Sequence, residues 1–485
     1  MKNVKRYFLS FLAALSIVLL AFGAVKAFAQ DNAPGENDTY DVVLTKVKLS
    51  DLTGWPKQTG VNNEDYTGQK LNVTDYFGSG AKTLANVWFD VYKDTPTGTP
   101  VAGAATGADG TVTFTGLKAG KYYIVENKAK STLTSDEQLA NSAAVPVEIN
   151  LPVFKATGGW YTTGSDAVHV YPKNTVDKPS IDKVVSEDAK HDTALVGETK
   201  TFKVTSTMPE GIKDYKVLKF TDKFSAGLTY TGNLVVKNGG TVVNPSNYST
   251  TGTAAVGTKG AAISIAFNED YIKTLNPKDV ITITYDAVIN EEAVMGAANP
   301  NDVKLTYGTN PDSTKEVKPN ETPELHTGGA KFEKIDKATS AKLAGAKFVV
   351  TNEAGDKYLK QTAASGTTPA KNEWVANKAD ATVFTSAADG IFEVKGLPYG
   401  VKGNDNATGE TKYKLVEVEA PTGYALLQQP VEFTISSTTY TGGINQVNNN
   451  KVTIPQTGGI GSALVIAAGV LVVGLGFIAK RRSAK

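Results

Sequence analysis

The chain has 485 residues, of which 50 are basic and 49 acidic, so its net charge gives no reason to expect nucleic acid or another polyanion as a partner. It contains no cysteine, which excludes disulfide bonds as a source of stability. Its 46 glycines and 20 tyrosines, with many valines and threonines, favour β-rich domains with frequent turns, and the length suggests about three of them.

The N-terminus has the features of a secretory signal peptide. Lys2, Lys5 and Arg6 precede an apolar stretch, which ends in small residues at the spacing that a signal peptidase recognises. We predict a signal helix over residues 1–29, with cleavage between Ala29 and Gln30, and therefore an exported protein.

An internal repeat indicates two copies of one β-domain. LANVWFDV (84–91) matches LAGAKFVV (343–350), DGTVTFTGL (109–117) matches DGIFEVKGL (389–397), and YYIVE (122–126) matches YKLVE (413–417). Three matches in the same order predict related domains, which we place at residues 30–175 and 327–453.

The first copy ends in an alternating run, AVHVYPKNTV (167–176), which predicts a half-buried strand. His169, Tyr171 and Lys173 share one face of this strand. Taken alone, Lys173 is most simply a charge that protects an edge strand from unwanted pairing.

Residues 176–326 lack the repeat motifs but are also strand-like, as in ETKTFKVTSTM and DVITITYDAVI. They predict a third β-domain of a different subtype. Short strands at this spacing favour β-sandwiches, so we expect an elongated tandem of three.

Three polar residues of the last domain lie in otherwise apolar patterns: Lys334, Glu417 and Asn449. If the apolar faces point inward, burial favours a neutral lysine amine, which is a nucleophile, and a protonated carboxyl, which can move protons. The product would be a Lys–Asn isopeptide bond with loss of ammonia. Two surface charges and a turn asparagine are the alternative that the residues alone leave open.

The C-terminus combines an uncharged stretch of 20 residues (460–479) with Lys480, Arg481, Arg482 and Lys485. That pattern predicts a transmembrane helix with a cytoplasmic basic end. The preceding IPQTGG (454–459) is not needed by a membrane anchor.

Three motifs and the two ends of the chain together resemble the sortase-assembled backbone (major) pilins of Gram-positive bacteria. YKLVEVEAPTGY resembles their E-box with Val418 in place of threonine, IPQTG resembles their LPXTG signal with Ile454 in place of leucine, and VYPKN resembles their pilin motif. The signal peptide and sorting tail complete the pattern.

The resemblance implies an all-β fold of three immunoglobulin-like sandwiches, of Cna B, Cna A and Cna B type, with a sorting region at 454–485. It implies that a pilin-specific sortase reads Ile454, Pro455, Gln456, Thr457 and Gly458, cleaves after Thr457 and joins Thr457 to Lys173 of the next identical subunit. A housekeeping sortase then attaches the polymer to peptidoglycan. The expected product is a cell wall-anchored pilus, which can carry ancillary pilins and contact host extracellular matrix.

The resemblance also implies an isopeptide-promoting acid in each domain, with a lysine and an asparagine as bond partners. The expected sets are Glu126 with Lys46 and Asn174, Asp222 with Lys183 and Asn301, and Glu417 with Lys334 and Asn449. Lys48 rivals Lys46, Asn299 is the alternative to Asn301, and Asn448 and Asn450 flank Asn449.

A wall-anchored adhesin or ancillary pilin is the competing interpretation, because it would share every feature except the linkage lysine. A surface enzyme has no support beyond single-turnover bond formation. His169, His191 and His326 are scattered in the sequence, and there is no nucleotide-binding loop or EF-hand, so we expect no cofactor and no metal.

Overall fold

The computed structural model describes residues 35, 37–50, 57, 59–135, 138–139, 146–186, 188–252, 255–401 and 409–452. The predicted signal peptide, the sorting signal 454–458 and the apolar stretch 460–479 lie outside the described residues. Within those residues, no helix is both long enough and apolar enough to cross a membrane.

The described chain is almost entirely β-structure, which confirms the predicted all-β class. It divides into two compact units. The first comprises Met1–Thr327 with Ala363–Lys371 and Pro398–Gly409, and the second comprises Gly328–Thr362, Asn372–Leu397 and Glu410–Lys485. Two groups of sheets lie in the first unit and one group in the second.

The first group of sheets covers residues 39–177. Its strands are β1 (Thr39–Thr45), β2 (Val47–Lys48), β3 (Lys82–Thr83), β4 (Trp88–Lys93), β5 (Ala102–Ala105), β6 (Thr111–Lys118), β7 (Gly120–Glu126), β8 (Gln138–Leu139), β9 (Val147–Leu151), β10 (Val168–Val170), β11 (Lys173–Asn174) and β12 (Val176–Asp177). The sheets β10-β1-β6 and β5-β4-β7-β9 contribute most of an apolar core that includes Val42, Phe89, Phe114, Ile124 and Val168.

A short helix, α1 (Val73–Phe77), interrupts this group between β2 and β3. Asn72 caps it by accepting hydrogen bonds from the backbone N–H groups of Thr74 and Asp75, which would otherwise lack partners. Its buried residues Tyr76 and Phe77 belong to a separate apolar cluster beside the sheet β11-β2-β3.

The second group covers residues 182–326 and contains two larger sheets. Its strands are β13 (Asp182–Val185), β14 (His191–Thr193), β15 (Thr199–Thr207), β16 (Val217–Phe224), β17 (Leu228–Asn238), β18 (Thr241–Val242), β19 (Tyr248–Gly252), β20 (Ala262–Phe267), β21 (Val280–Ile289), β22 (Asn299–Gly308), β23 (Lys315–Val317) and β24 (Glu324–His326), with helix α2 (Glu269–Ile272) between β20 and β21. One sheet has the order β13-β15-β21-β17-β18 and the other β14-β24-β22-β16-β20-β19. Because successive side chains of a strand point to opposite faces, most of β15 and β21 alternates between buried residues, which face the core, and less buried ones.

The second unit holds the last group of sheets. Its strands are β25 (Gly328–Asp336), β26 (Lys347–Asn352), β27 (Tyr358–Thr362), β28 (Lys371–Val375), β29 (Phe384–Thr385), β30 (Ile391–Leu397), β31 (Glu410–Glu419), β32 (Val431–Ser436) and β33 (Asn445–Asn449). The sheets β30-β25-β33 and β28-β27-β26-β31-β32 enclose Phe332, Phe348, Phe392 and Phe433.

The first and last strands of this unit run side by side. β25 pairs in parallel with β33 over five residue pairs, including Lys334 with Val447 and Asp336 with Asn449. In the first group, β1 likewise pairs in parallel with β10, and β2 with β11. Residues far apart in sequence are therefore adjacent where each of these domains begins and ends.

Candidate functional site

The repeated Asp-Gly and Leu-Ala motifs hold one lysine backbone in each copy. The Lys46 N–H donates to the Gly110 carbonyl at 2.9 Å, and the Lys46 carbonyl accepts from the Leu84 N–H at 3.0 Å. In the second unit, Lys334 makes the same two bonds, at 2.8 Å and 2.9 Å, with the corresponding residues of the repeat, Gly390 and Leu343.

The turn glycine is required by close packing at this point. Gly390 has φ +76°, and a Cβ added there would lie 2.6 Å from the Lys334 carbonyl oxygen. A residue with a side chain would be strained in its backbone and would clash with the lysine that the turn holds.

The repeated phenylalanine brings the acid to the lysine. Phe89 is paired with Glu126 across β4 and β7, and Phe348 with Glu417 across β26 and β31. Their ring centroids lie 5.8 Å from Lys46 Nζ and 5.7 Å from Lys334 Nζ. Each copy thus sets its lysine against an aromatic ring and beside a glutamate.

In the second unit, Lys334, Glu417 and Asn449 form one buried cluster. Lys334 Nζ donates to Asn449 Oδ1 and lies 3.5 Å from Glu417 Oε1. Asn449 Nδ2 donates to both Glu417 carboxyl oxygens at 3.0 Å, and the Leu427 N–H donates to Glu417 Oε2 at 2.8 Å. The amine therefore faces the carboxamide oxygen while the acid holds the carboxamide nitrogen.

The first group of sheets contains the same arrangement with Lys46, Glu126 and Asn174. Lys46 Nζ donates to Asn174 Oδ1 at 2.5 Å and also to Glu126 Oε2. Asn174 Nδ2 donates to Glu126 Oε1 at 3.1 Å. All three side chains are buried.

The second group of sheets assembles a different cluster. Lys183 Nζ donates to Asp222 Oδ2 at 2.7 Å, and the Tyr285 hydroxyl donates to the same oxygen at 2.6 Å. Asn301 Nδ2 donates to the Tyr285 hydroxyl oxygen at 2.8 Å. Tyr285 thus connects the acid to the asparagine. In the other two clusters, the asparagine donates a hydrogen bond directly to the acid.

Burial shifts the protonation equilibria of these clusters. Desolvation lowers the pKa of Lys46 and Lys334 against the opposing attraction of their glutamates, and it lowers the pKa of Lys183 to about 8. Desolvation also raises the pKa of Asp222. Each shift favours the neutral forms that nucleophilic attack and proton transfer require.

The alternative lysine and asparagines considered from the sequence are not part of the three clusters. Lys48 is half-buried on β2, and Asn448 and Asn450 are exposed. Asn299 is buried, but its side chain bonds to the backbone of residues 294, 297 and 325. The clusters are therefore formed by the residues that the sequence favoured in each domain.

Lys173 lies on β11 in a partly apolar setting. Its Nζ donates to the Tyr171 carbonyl at 2.8 Å and lies 5.2 Å from the centroid of the Phe77 ring. Burial, with a smaller effect from the nearby charge of Lys46, lowers the pKa of Lys173 to about 8. The side chain is half-buried, so it combines partial access with a tendency to lose its proton.

Two residues of this site were missed by sequence reasoning. Tyr285 alternates in phase with Ile281 and Ile283, so the pattern predicts an ordinary aromatic residue of the core. Its hydroxyl group on an apolar face was the one sign of a polar role. Phe77 is the last residue of helix α1, which is only five residues long and which the sequence pattern did not predict. It reaches Lys173 because the aromatic cluster also buries Tyr171, on the strand face that Lys173 shares.

The three histidines are scattered in the sequence, but two of them lie close together in the structure. The rings of His191 and His326 lie 5.7 Å apart, and with Glu324 they bring three possible metal ligands within 4.8 Å of one another. The parallel pairing of β14 with β24 causes this, because it places His191 opposite Glu324 and Thr193 opposite His326.

Comparisons with known proteins agree with this architecture. Residues 94–175 match the family described as Gram-positive pilin subunit D1, N-terminal domain; residues 328–450 match the prealbumin-like fold domain; and residues 446–484 match the LPXTG cell wall anchor motif. The chain is a Gram-positive pilin. Its anchor motif and its pilin relatives place this pilin at the cell wall, as a structural subunit of a surface pilus.

The pilin is 26% identical to the fimbrial subunit type 1 of Actinomyces viscosus, over 96% of both chains. In fold it is similar to the RrgB pilus protein of Streptococcus pneumoniae, with a TM-score of 0.65 at 21% identity, over 87% of this chain and all of that one. It is also similar to the major pilin SpaD of Corynebacterium diphtheriae, with a TM-score of 0.52 at 19% identity, over 87% of this chain and all of that one. The tandem immunoglobulin-like fold is thereby confirmed.

Proposed function

We propose that this pilin forms the covalent shaft of the pilus, with Lys173 as the residue that accepts the preceding subunit. The observation that carries the proposal is the setting of Lys173: a half-buried amine against the Phe77 ring, with its pKa lowered to about 8. The full-length similarity to a fimbrial subunit supports the same role.

In the joining step, a pilin sortase cleaves between Thr457 and Gly458 and holds the Thr457 acyl group as a thioester. The neutral amine of Lys173 attacks that carbonyl carbon, a Thr457–Lys173 amide forms, and the sortase thiol leaves. A deprotonated amine is required because the ammonium form has no lone pair to donate. A housekeeping sortase transfers the last subunit to peptidoglycan by the same exchange.

We also propose that each domain forms one Lys–Asn isopeptide bond. In the second unit, the Lys334 proton passes to Glu417, and the amine attacks Cγ of Asn449. The carboxyl proton then goes to the departing carboxamide nitrogen, which leaves as ammonia, and the second proton of the attacking nitrogen goes to the Glu417 carboxylate. The hydrogen bonds from Asn449 Nδ2 to Glu417 support this assignment, because they place the acid at the leaving group. Lys46, Glu126 and Asn174 have the same relationship.

In the second group of sheets, we assign the acid role to Asp222 and a relay role to Tyr285. Asp222 accepts from Lys183 but does not contact Asn301 in any hydrogen bond that the described residues make. The Tyr285 hydroxyl donates to Asp222 and accepts from Asn301 Nδ2, so it can pass a proton from the acid to the leaving nitrogen.

The test is an immunoblot of cell-wall extracts from the native host with its sortases intact, comparing the wild type with Lys173→Ala and Lys48→Ala. We expect a high-molecular-weight ladder in the wild type and in Lys48→Ala, and monomer alone in Lys173→Ala. Loss of ammonia from the first domain of the Lys173→Ala monomer would show that this domain still folds.

A ladder that persists in Lys173→Ala would mean that another lysine joins the subunits. No ladder in any strain would mean a wall-anchored monomer, as expected of an adhesin. The first result would overturn the role assigned to Lys173, and the second would overturn the shaft itself.

A further inference from the structure

His191, Glu324 and His326 converge where β14 pairs with β24, and none of them belongs to the three lysine clusters. His191 Nδ1 lies 3.5 Å from Glu324 Oε2, and His326 Nε2 lies 3.4 Å from the same oxygen. These separations are long for charge-assisted hydrogen bonds, which are usually about 2.7–2.9 Å. They are close to the roughly 3.3–3.4 Å between two ligands that each lie about 2.0–2.1 Å from a tetrahedral zinc ion.

The other nitrogen of each ring has an oxygen partner. His191 Nε2 lies 3.0 Å from Glu321 Oε1, and His326 Nδ1 lies 3.2 Å from the Tyr399 hydroxyl. Metal-binding histidines typically donate the N–H of their second nitrogen to such a group, which fixes the tautomer and turns the first nitrogen towards the metal. Both rings are oriented in this way, and the nitrogens left over are the two that face Glu324.

We propose that His191 Nδ1, His326 Nε2 and Glu324 form a binding site for a divalent transition metal ion of the zinc class. Two imidazoles and a carboxylate are a ligand set that zinc accepts, with the fourth position left to water. His326 is buried, whereas the side chains of His191 and Glu324 are 21% and 27% exposed, so an ion can enter from solvent.

The bound ion would join the two ends of one domain. β14 lies near the start of the second group of sheets and β24 is its last strand, and the two pair over only three residue pairs. A metal bridge would fasten this short parallel pair without a covalent bond, in a chain that has no cysteine for a disulfide.

The test uses the chain released from the cell wall by muramidase digestion, stripped with a chelator and dialysed against zinc chloride. The chain has only three histidines, so His169→Ala is a matched control and no tag is added. We expect one saturable zinc per chain in the wild type and in His169→Ala, and loss of that zinc in His191→Ala and His326→Ala. Glu321→Ala should bind about tenfold or more weakly, because it removes the outer partner of His191.

A second measurement needs no variant. In protein labelled with ¹⁵N-histidine, zinc should shift Nδ1 of one ring and Nε2 of another, while the third ring stays unchanged. Absence of saturable zinc, retention of it in both His191→Ala and His326→Ala, or unchanged ring nitrogens would overturn the proposal.

Discussion

Lys173 and Asn174 are neighbours on β11 whose side chains enter different environments: the Asn174 amide is buried against Lys46 and Glu126, and the Lys173 amine lies over the Phe77 ring. Successive side chains of a strand point to opposite faces, so one short strand serves both sites. A bond between Lys46 and Asn174 would fix the backbone from which Lys173 projects.

The first prediction separates Lys46 from Lys48. In Lys46→Ala the first domain should have the full mass calculated from its sequence, with no loss of ammonia, because the amine that contacts Asn174 is gone. Lys48→Ala should lose ammonia as the wild type does, because Lys48 is half-buried on β2. Mass spectrometry of the proteolysed chain measures this difference, and ammonia loss in Lys46→Ala would refute the assignment.

The second prediction concerns the stability of the second unit. Glu417→Gln should prevent the Lys334–Asn449 bond, which spans 115 residues. By analogy with a disulfide closing a loop of that length, the free energy of unfolding should fall by about 5 kcal/mol.

Glu419→Gln is the control for this experiment. Glu419 lies on the same strand, β31, but is exposed and pairs with Lys347 at the surface, so its loss should cost at most about 1 kcal/mol. Denaturant unfolding measures both changes. Equal effects in the two variants would show that no cross-link depends on Glu417.

The third prediction tests the tyrosine relay. Tyr285→Phe keeps the ring but removes the hydroxyl between Asp222 and Asn301, so bond formation in this domain should slow by about a hundredfold, a usual effect of losing a proton-transfer group. The other two domains should lose ammonia normally. Mass spectrometry of newly synthesised chain at successive times measures the rates.

Tyr230→Phe is the matched control, because its ring packs 6.2 Å from that of Tyr285 in the same core. It should leave the rate of ammonia loss unchanged. If Tyr285→Phe also proceeded at the wild-type rate, Asn301 would have to receive its proton by another route.

The fourth prediction is the pH dependence of Lys173. Acylation of its amine by a small reagent, measured by mass spectrometry on monomer from a strain without the pilin sortase, should reach half its maximal rate near pH 8, where its pKa lies. An ordinary exposed lysine titrates near about 10.4. A Lys173 profile matching exposed lysines would contradict the burial argument.

The same shift affects stability in a defined direction. The folded chain releases the Lys173 proton near pH 8, whereas the unfolded chain keeps it until about 10.5. Between those values the unfolded state binds more protons, so the contribution of Lys173 to the free energy of unfolding rises with pH. Below pH 8 the cost of burying the charged amine is fully present.

Most of the fold could be predicted from the sequence because β-structure is encoded locally. The Leu-Ala and Asp-Gly motifs recur because they hydrogen-bond the backbone of one lysine in each copy, and the glutamate motif recurs because it places an acid beside that lysine. Those motifs were recognisable without knowledge that Gly110 and Gly390 accept the lysine N–H groups. The signal peptide and the sorting region stay predictions, because they lie outside the described residues.

The features that were missed depend on pairing between distant segments. The approach of His191 to His326 follows from the parallel register of two three-residue strands. Strands this short show no alternating pattern from which the sequence could predict them. The contact of Phe77 with Lys173 follows from the packing of helix α1, whose five residues are too few to show a helical period. Tyr285 was overlooked because a tyrosine on an apolar face is common in cores, and only its hydrogen bonds distinguish it.

The parallel pairing of β25 with β33 also determines how the second unit bears tension. Force applied at residue 328 and at residue 449 pulls the two strands past each other along their length, because the chain enters at the start of one and leaves at the end of the other. The backbone hydrogen bonds of the five residue pairs are then loaded together in shear. An antiparallel pair pulled from one end would instead open one bond at a time.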